Sequence, residues 1–246
     1  MASLQPELIT VVTGFPVTNT IIATIAVDFI LLFFLYKAAT SIRVAPNGIQ
    51  SFIEPVITYM YDLTEQISGT RAAKIFPWFA TFFIVILATN LFGLLPGITA
   101  IGFFENDHGK THLVPLFRAA TTDFNMTLAL GTVSIVATHV LTINTIGIVG
   151  YLKKFLSFNP INLLIGLLEF VLEFVKIISL SFRLFGNIFA GEVVLVAVSG
   201  IFVFLAPLPF IMLETIVALV QALVFAMLTM VFMAVLSTPH SEGGGH

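Results

Sequence analysis

The chain has no cysteine, a single tryptophan, and charge on only 9% of its 246 residues. Without cysteine it can build neither a disulfide framework nor a thiolate metal site. Its net charge of −3 gives no basic footprint for nucleic acid. No P-loop glycine pattern and no HExxH occur, so no enzyme active site and no cofactor are expected, and any nucleotide chemistry belongs to other chains. His108 and His112 stand at i, i+4, but two ligands fall short of a metal site, and none is expected. The scarcity of charge also excludes a soluble domain, which carries about 25% charged residues.

In place of charge there is 58% hydrophobic sequence and a mean hydropathy of +1.08. The fold class this predicts is all-α, a single polytopic membrane domain over 1–246 with about five membrane helices. The stretch Met1–Phe15 has Glu7 and no basic residue, unlike the positively charged start of a signal peptide, so the first apolar run is read as a retained helix. That helix is expected at 17–36, long enough for about 30 Å of hydrocarbon. At 47–68 the apolar residues Phe52, Ile53, Val56, Met60, Leu63 and Ile67 recur at helical spacing, while Gln50, Glu54, Thr58, Asp62 and Glu65 take other faces. This predicts an amphipathic helix lying in the membrane interface.

Further crossings are expected at 76–96, ended by Pro96 and Gly97, and at 124–150, followed by Lys153 and Lys154. Between them, 97–123 reads as a polar loop too charged for lipid. From 161 to 204 a helical pattern runs without proline. At about 1.5 Å per residue it would be roughly twice the bilayer thickness, so it must be strongly tilted. The segment 208–236 is the last long, tilted helix, and 237–246 is a polar tail expected to be disordered. Lys37, Arg43, Arg71, Lys74, Lys153 and Lys154 all fall on one side of this arrangement, which places the N-terminus outside and the C-terminus in the cytoplasm.

Within the long fifth segment stand Glu169, Glu173, Lys176, Arg183 and Glu192, each costing about 2.5 to 3.5 kcal/mol to insert at mid-membrane. At about 100° per residue, Glu169, Glu173, Lys176, Arg183 and Asn187 fall within roughly 40° of one meridian and form a polar stripe. Glu173 and Lys176 can simply pair with each other, as buried charges do. Arg183 has no acid at i±3 or i±4, and a guanidinium cannot shed its charge, so it needs an anion from elsewhere. Glu192 lies off the stripe and is expected to face the last helix, where Glu214 and Gln221 share a face. Neighbouring carboxylates there can share a proton as a relay or as a structural clamp. Asp28 and His139 read as lone groups, local hydrogen-bonding or water-facing residues rather than members of a relay. Gly186, Ala190 and Gly191 permit close approach of another helix, whether for ordinary packing or for a sliding contact.

The segment Ser181–Val194, SFRLFGNIFAGEVV, resembles subunit a of the F-type ATP synthase. So do NLFGLLP at Asn90–Pro96, TTDFNMTLALG at Thr121–Gly131 and VQALVFAMLTMVFM at Val220–Met233. The resemblance implies that Arg183 faces a rotating ring of c subunits and that Asn187, Glu192, Glu214 and Gln221 line a half channel open to the outside. It implies that Glu169, with Glu173 beside it, marks the cytoplasmic half channel. It further implies b-type peripheral stalk partners, H⁺ or Na⁺ as the carried ion, and a bacterial inner membrane. Many relatives carry histidine where this chain has Glu192 or Glu214. Two other functions remain open on the residues alone. A stand-alone transporter or channel would use Arg183 as an anion site, although no second RLFGN segment or matching pair of broken helices occurs. A passive anchor would have no need of the polar stripe.

Overall fold

The computed structural model describes residues 6–12, 14–40, 42, 48–107, 110–155, 160–200 and 207–238. Arg43, His108, residues 156–159 and the tail at 239–246 lie outside them. Among the described residues six α-helices carry the fold: α1 (Asn19–Thr40), α2 (Gly48–Ser68), α3 (Ala72–Gly93), α4 (Phe124–Phe155), α5 (Pro160–Ser199) and α6 (Pro207–Leu236). Among the described residues, helix occupies the stretches read as helical in the sequence, and the expected end of the fifth, 201–204, lies outside them. Four helical stretches are long and apolar enough to cross a bilayer: Asn19–Thr40, Ile53–Gly93, Phe124–Phe155 and Pro207–Leu236. This is an all-α membrane protein in its framework.

Two hairpins were not expected. β1 (Leu8–Val12) pairs antiparallel with β2 (Phe15–Thr18), and β3 (Gly102–Asp107) pairs with β4 (Lys110–Pro115). The second occupies most of the segment read as a loop, with Glu105 opposite His112 and Asp107 opposite Lys110. Its strands are short and its polar and apolar residues do not alternate cleanly, so periodicity gives no strand signal there.

The core forms where α6 meets α3 and α5. Ala218, Ala222 and Ala226 of α6 are fully buried, and their small side chains let α3 lay Phe79, Phe82 and Ile86 against Phe225 and Met230. α4 and α5 approach just as closely. A Cβ at Gly131 would stand 3.1 Å from the Ile177 carbonyl oxygen, and Ser181 Oγ, buried in that seam, donates to the Thr127 carbonyl at 3.0 Å. Ser134 Oγ and Thr229 Oγ1 join α4 to α6 at 2.7 Å. With little hydrophobic drive between helices in lipid, such packing and hydrogen bonds hold the bundle.

Asp123 fixes the start of α4 by accepting from the Asn125 backbone N–H at 2.9 Å, a helix cap. Its other oxygen accepts from Thr20 at the start of α1 at 3.2 Å. At the opposite end, Arg71 donates to Ser237 Oγ and Thr238 Oγ1 at 3.0 and 3.1 Å. Lys154 donates there to the Thr238 carbonyl at 3.1 Å. The basic residues at the α3 start and the α4 end therefore gather at the C-terminus of α6.

α4 is interrupted at Gly147, whose φ of 76° and ψ of 161° belong to no helix. That region is nearly closed to other residues and costs about 1 to 3 kcal/mol to occupy. A Cβ added there would meet nothing within 4 Å, so the cost is purely conformational. Gly147→Ala should lower the thermal midpoint of the solubilised complex by a shift matching that cost, measurable by calorimetry.

Candidate functional site

α5 is one unbroken helix of 40 residues, so its ionisable groups stand at fixed depths. Glu173 and Arg183 are about 15 Å apart along its axis, and Arg183 and Glu192 about 13 Å. Three polar places result, one near each end of the bundle and one between.

Near one end, Glu192 meets Arg118 Nη2 at 3.3 Å. Arg118 is only 7% exposed, and its Nε–H donates to Thr122 Oγ1 at 3.0 Å. Together with Glu214, Asn90, Gly93, Ala119, Ile188 and Ala218 they line a cavity of about 60 Å³, enough for water molecules. Glu214 is buried, and its Oε1 has no hydrogen-bond partner among the described residues. Asn90 is held in place by Thr121 Oγ1 at 2.6 Å and by the Ala218 carbonyl at 3.4 Å.

Gly191 is what admits Glu214 here, because a Cβ on residue 191 would collide with its carboxylate. The obstacle is the far end of a flexible side chain, so Gly191→Ala should leave the bundle intact and turn Glu214 out of the cavity. The expected result is normal insertion in the membrane and a Glu214 carboxylate newly open to a water-soluble carboxyl reagent, detected by mass spectrometry.

Near the other end, Glu173 of α5 is buried beside α4. Its Oε1 accepts from Lys176 Nζ at 2.7 Å, and the Lys176 ammonium lies 4.7 Å from the Phe232 ring centre. Its Oε2 is 3.8 Å from His139 Nε2 and has no hydrogen-bond partner among the described residues. His139 Nδ1 is 3.1 Å from Tyr151 Oη. Glu169, one turn before Glu173, is half-buried.

Between these places, Arg183 and Asn187 are exposed on the outer face of α5. Arg183 has no hydrogen bond or ion pair among the described residues. Gly186 and Ala190 are exposed on the same face, and a Cβ at Gly186 would meet nothing within 4 Å.

The expected stripe is thus divided. Its meridian runs along the border between the packed and open faces of α5. Glu173 and Arg183 sit on opposite edges, about 80° apart, so α4 covers Glu173 and, among the described residues, nothing covers Arg183. Glu192 does share a cavity with Glu214, but its charge partner is Arg118, from the segment read as a solvated loop. Gln221, half-buried on α6, is not among the residues lining that cavity. His139 is no lone group, since it joins Tyr151 and Glu173, whereas Asp28 is exposed on α1. Arg118 was missed because Glu192 is 74 residues away, and Tyr151 because only the non-helical Gly147 brings it back to His139 on the same helix. An acid in an apolar helix without a local base, as at Glu192, was the signal that could have pointed to Arg118. Among the described residues no group of three or more His, Asp or Glu side chains could hold a metal ion.

A membrane bundle with buried acids at both ends and a bare arginine between them is an ion-handling membrane protein by architecture. Residues 18–234 match the family described as ATP synthase A chain, and the chain belongs to that family. It is 29% identical to ATP synthase subunit a of Moorella thermoacetica over 95% of this chain and 97% of that one. It is 31% identical to the sodium ion specific subunit a of Propionigenium modestum over 92% of this chain and 76% of that one. Subunit a of Desulfotalea psychrophila is 36% identical over 79% and 74% of the two chains. These relatives support the subunit a function and not a stand-alone transporter.

Proposed function

We propose that this chain is the ion-translocating subunit a of an F-type ATP synthase, non-catalytic itself, with ATP chemistry in partner subunits. The observation that carries this is Arg183, exposed on an outer helix face and axially between the Glu192–Glu214 cavity and the buried Glu173 group. A guanidinium on a membrane-facing surface demands an acid from a neighbouring chain. A ring of c subunits, each presenting a carboxylate, supplies it. The exposed Gly186 and Ala190 let such helices pass close by.

In this mechanism an ion enters from outside through the cavity of Arg118, Glu192 and Glu214, with Asn187 and Gln221 further along the way. It neutralises a ring carboxylate, which can then travel through lipid without the cost of a bare charge. After nearly a full turn the carboxylate comes opposite Arg183, where its charged form is favoured, and the ion leaves past Glu173 and Glu169. The fixed charge of Arg183 keeps the two recesses from short-circuiting. Each charge that crosses supplies about 2.3 kcal/mol per 100 mV.

The gathering of Arg71, Lys74 and Lys154 at the Glu173 end supports a cytoplasmic assignment for that end, with α2 along the interface and b-type stalk subunits as further partners. The membrane would be a bacterial inner membrane. Because the chain has no cysteine, single cysteines can report access from each side. In intact complexes, Thr122→Cys and Ala218→Cys should react with silver ion only from outside, and Glu169→Cys only from the cytoplasmic side. Equal reaction of either group from both sides would refute the two-recess mechanism.

A further inference from the structure

We propose that His139 and Tyr151 form a proton wire that takes the proton from Glu173 to the cytoplasmic surface. The proposal rests on the two-recess reading above and adds to it two residues outside α5 and α6.

Three observations converge on this wire. First, Glu173 has one free oxygen and it faces His139. Lys176 occupies Oε1 at 2.7 Å, while Oε2 is buried, unpartnered among the described residues and 3.8 Å from His139 Nε2. A small turn of the imidazole closes that distance, as catalytic hydrogen bonds often tighten only in the working state. Second, the far nitrogen of the same ring already has its partner, Tyr151 Oη at 3.1 Å. An imidazole with its two nitrogens between an acid and a phenol can take a proton on one side and release it on the other.

Third, the backbone is shaped to make this contact. Twelve residues separate His139 from Tyr151, which in an unbroken helix is about 18 Å. The non-helical Gly147 between them bends α4 so that the two side chains meet. Tyr151 then stands one turn before Lys154, whose ammonium binds the Thr238 carbonyl at the end of α6.

The transfer balances without any added reagent. The Glu173 O–H bond breaks as a bond to His139 Nε2 forms. The Nδ1–H bond breaks as Tyr151 Oη accepts, and the phenolic proton passes to water at the helix end. Tautomerisation of the imidazole resets the wire. Such a chain carries protons and offers no path to a sodium ion, which needs a shell of several oxygen ligands.

The test compares wild type, His139→Gln, His139→Gly, Tyr151→Phe and Arg183→Ala in intact complexes reconstituted in vesicles, after assembly is verified for each. The readout is ion-driven ATP synthesis, with and without added imidazole. His139→Gln retains a polar side chain of similar size but cannot relay, and should slow synthesis at least about tenfold, short of the roughly 10²- to 10⁴-fold that a positioned proton-transfer group provides. Tyr151→Phe should slow it by less, and imidazole should restore His139→Gly.

Wild-type rates in His139→Gln, with Arg183→Ala inactive, would overturn the wire and leave the two-recess mechanism standing. A loss in His139→Gly that imidazole does not relieve, alongside a functional His139→Gln, would make His139 a packing residue and also overturn it. Undiminished synthesis in Arg183→Ala would remove the mechanism itself. Synthesis driven by a sodium gradient alone, unaffected by His139→Gln, would likewise overturn the wire.

Discussion

Arg183→Ala should abolish ion-driven ATP synthesis in an otherwise intact complex and raise passive ion leak through the membrane sector. Two consequences of the charge are lost together. Opposite a neutral residue, a ring carboxylate keeps its proton, because an unpaired charge at that depth costs several kcal/mol. The axial gap of about 13 to 15 Å between Arg183 and the two acids of α5 also loses its electrostatic barrier. Ions that slip between the recesses dissipate about 2.3 kcal/mol per 100 mV each without turning the ring. Arg183→Lys should fail as well, to below about a tenth of wild-type rate, since an ammonium deprotonates when desolvated and a guanidinium does not. Synthesis near the wild-type rate in an assembled Arg183→Ala complex would make this residue structural.

Arg118→Ala should have the second largest effect, on the outer recess. Arg118 is buried and Glu192 is 29% exposed. Breaking a fully buried pair costs about 3 to 5 kcal/mol, and the exposure of Glu192 discounts this through solvent screening. If only about 1.4 kcal/mol of it appears in the barrier to ion entry, the rate falls about tenfold. Arg118→Lys should recover part of the loss, because a single ammonium can face Glu192 but cannot also serve Thr122 in the same fork geometry. The check is ATP synthesis against outside ion concentration. A defect that high concentration relieves belongs to entry, and an unchanged profile would show that the Arg118–Glu192 pair does not control it.

These two arginines also mark how much could be read from the sequence. Arg183 was conspicuous because every residue within a turn of it lacks a negative charge, a local fact. Arg118 was hidden because its partner is 74 residues away and its surroundings, with Glu105, Asp107 and Lys110 nearby, resemble solvated loop. The β3–β4 hairpin and the short turn Ala120–Thr122 fold that segment back and bury the arginine beside α5. His139 was misjudged for a related reason. On α4 it is a lone histidine in an uncharged run, and only the seam with α5 sets it against Glu173.

The sequence by itself determined the membrane helices, the kinship carried by SFRLFGNIFAGEVV and the relative phases of the ionisable groups along α5. Those properties depend on hydropathy and on the fixed rise and twist of one helix. The tertiary structure alone decided which edge of the polar stripe is covered, which base meets Glu192, and that Gly147 returns Tyr151 to His139. Such pairings join chain segments far apart in sequence, and they are settled by how closely helices pack at small residues and by where a break redirects the backbone.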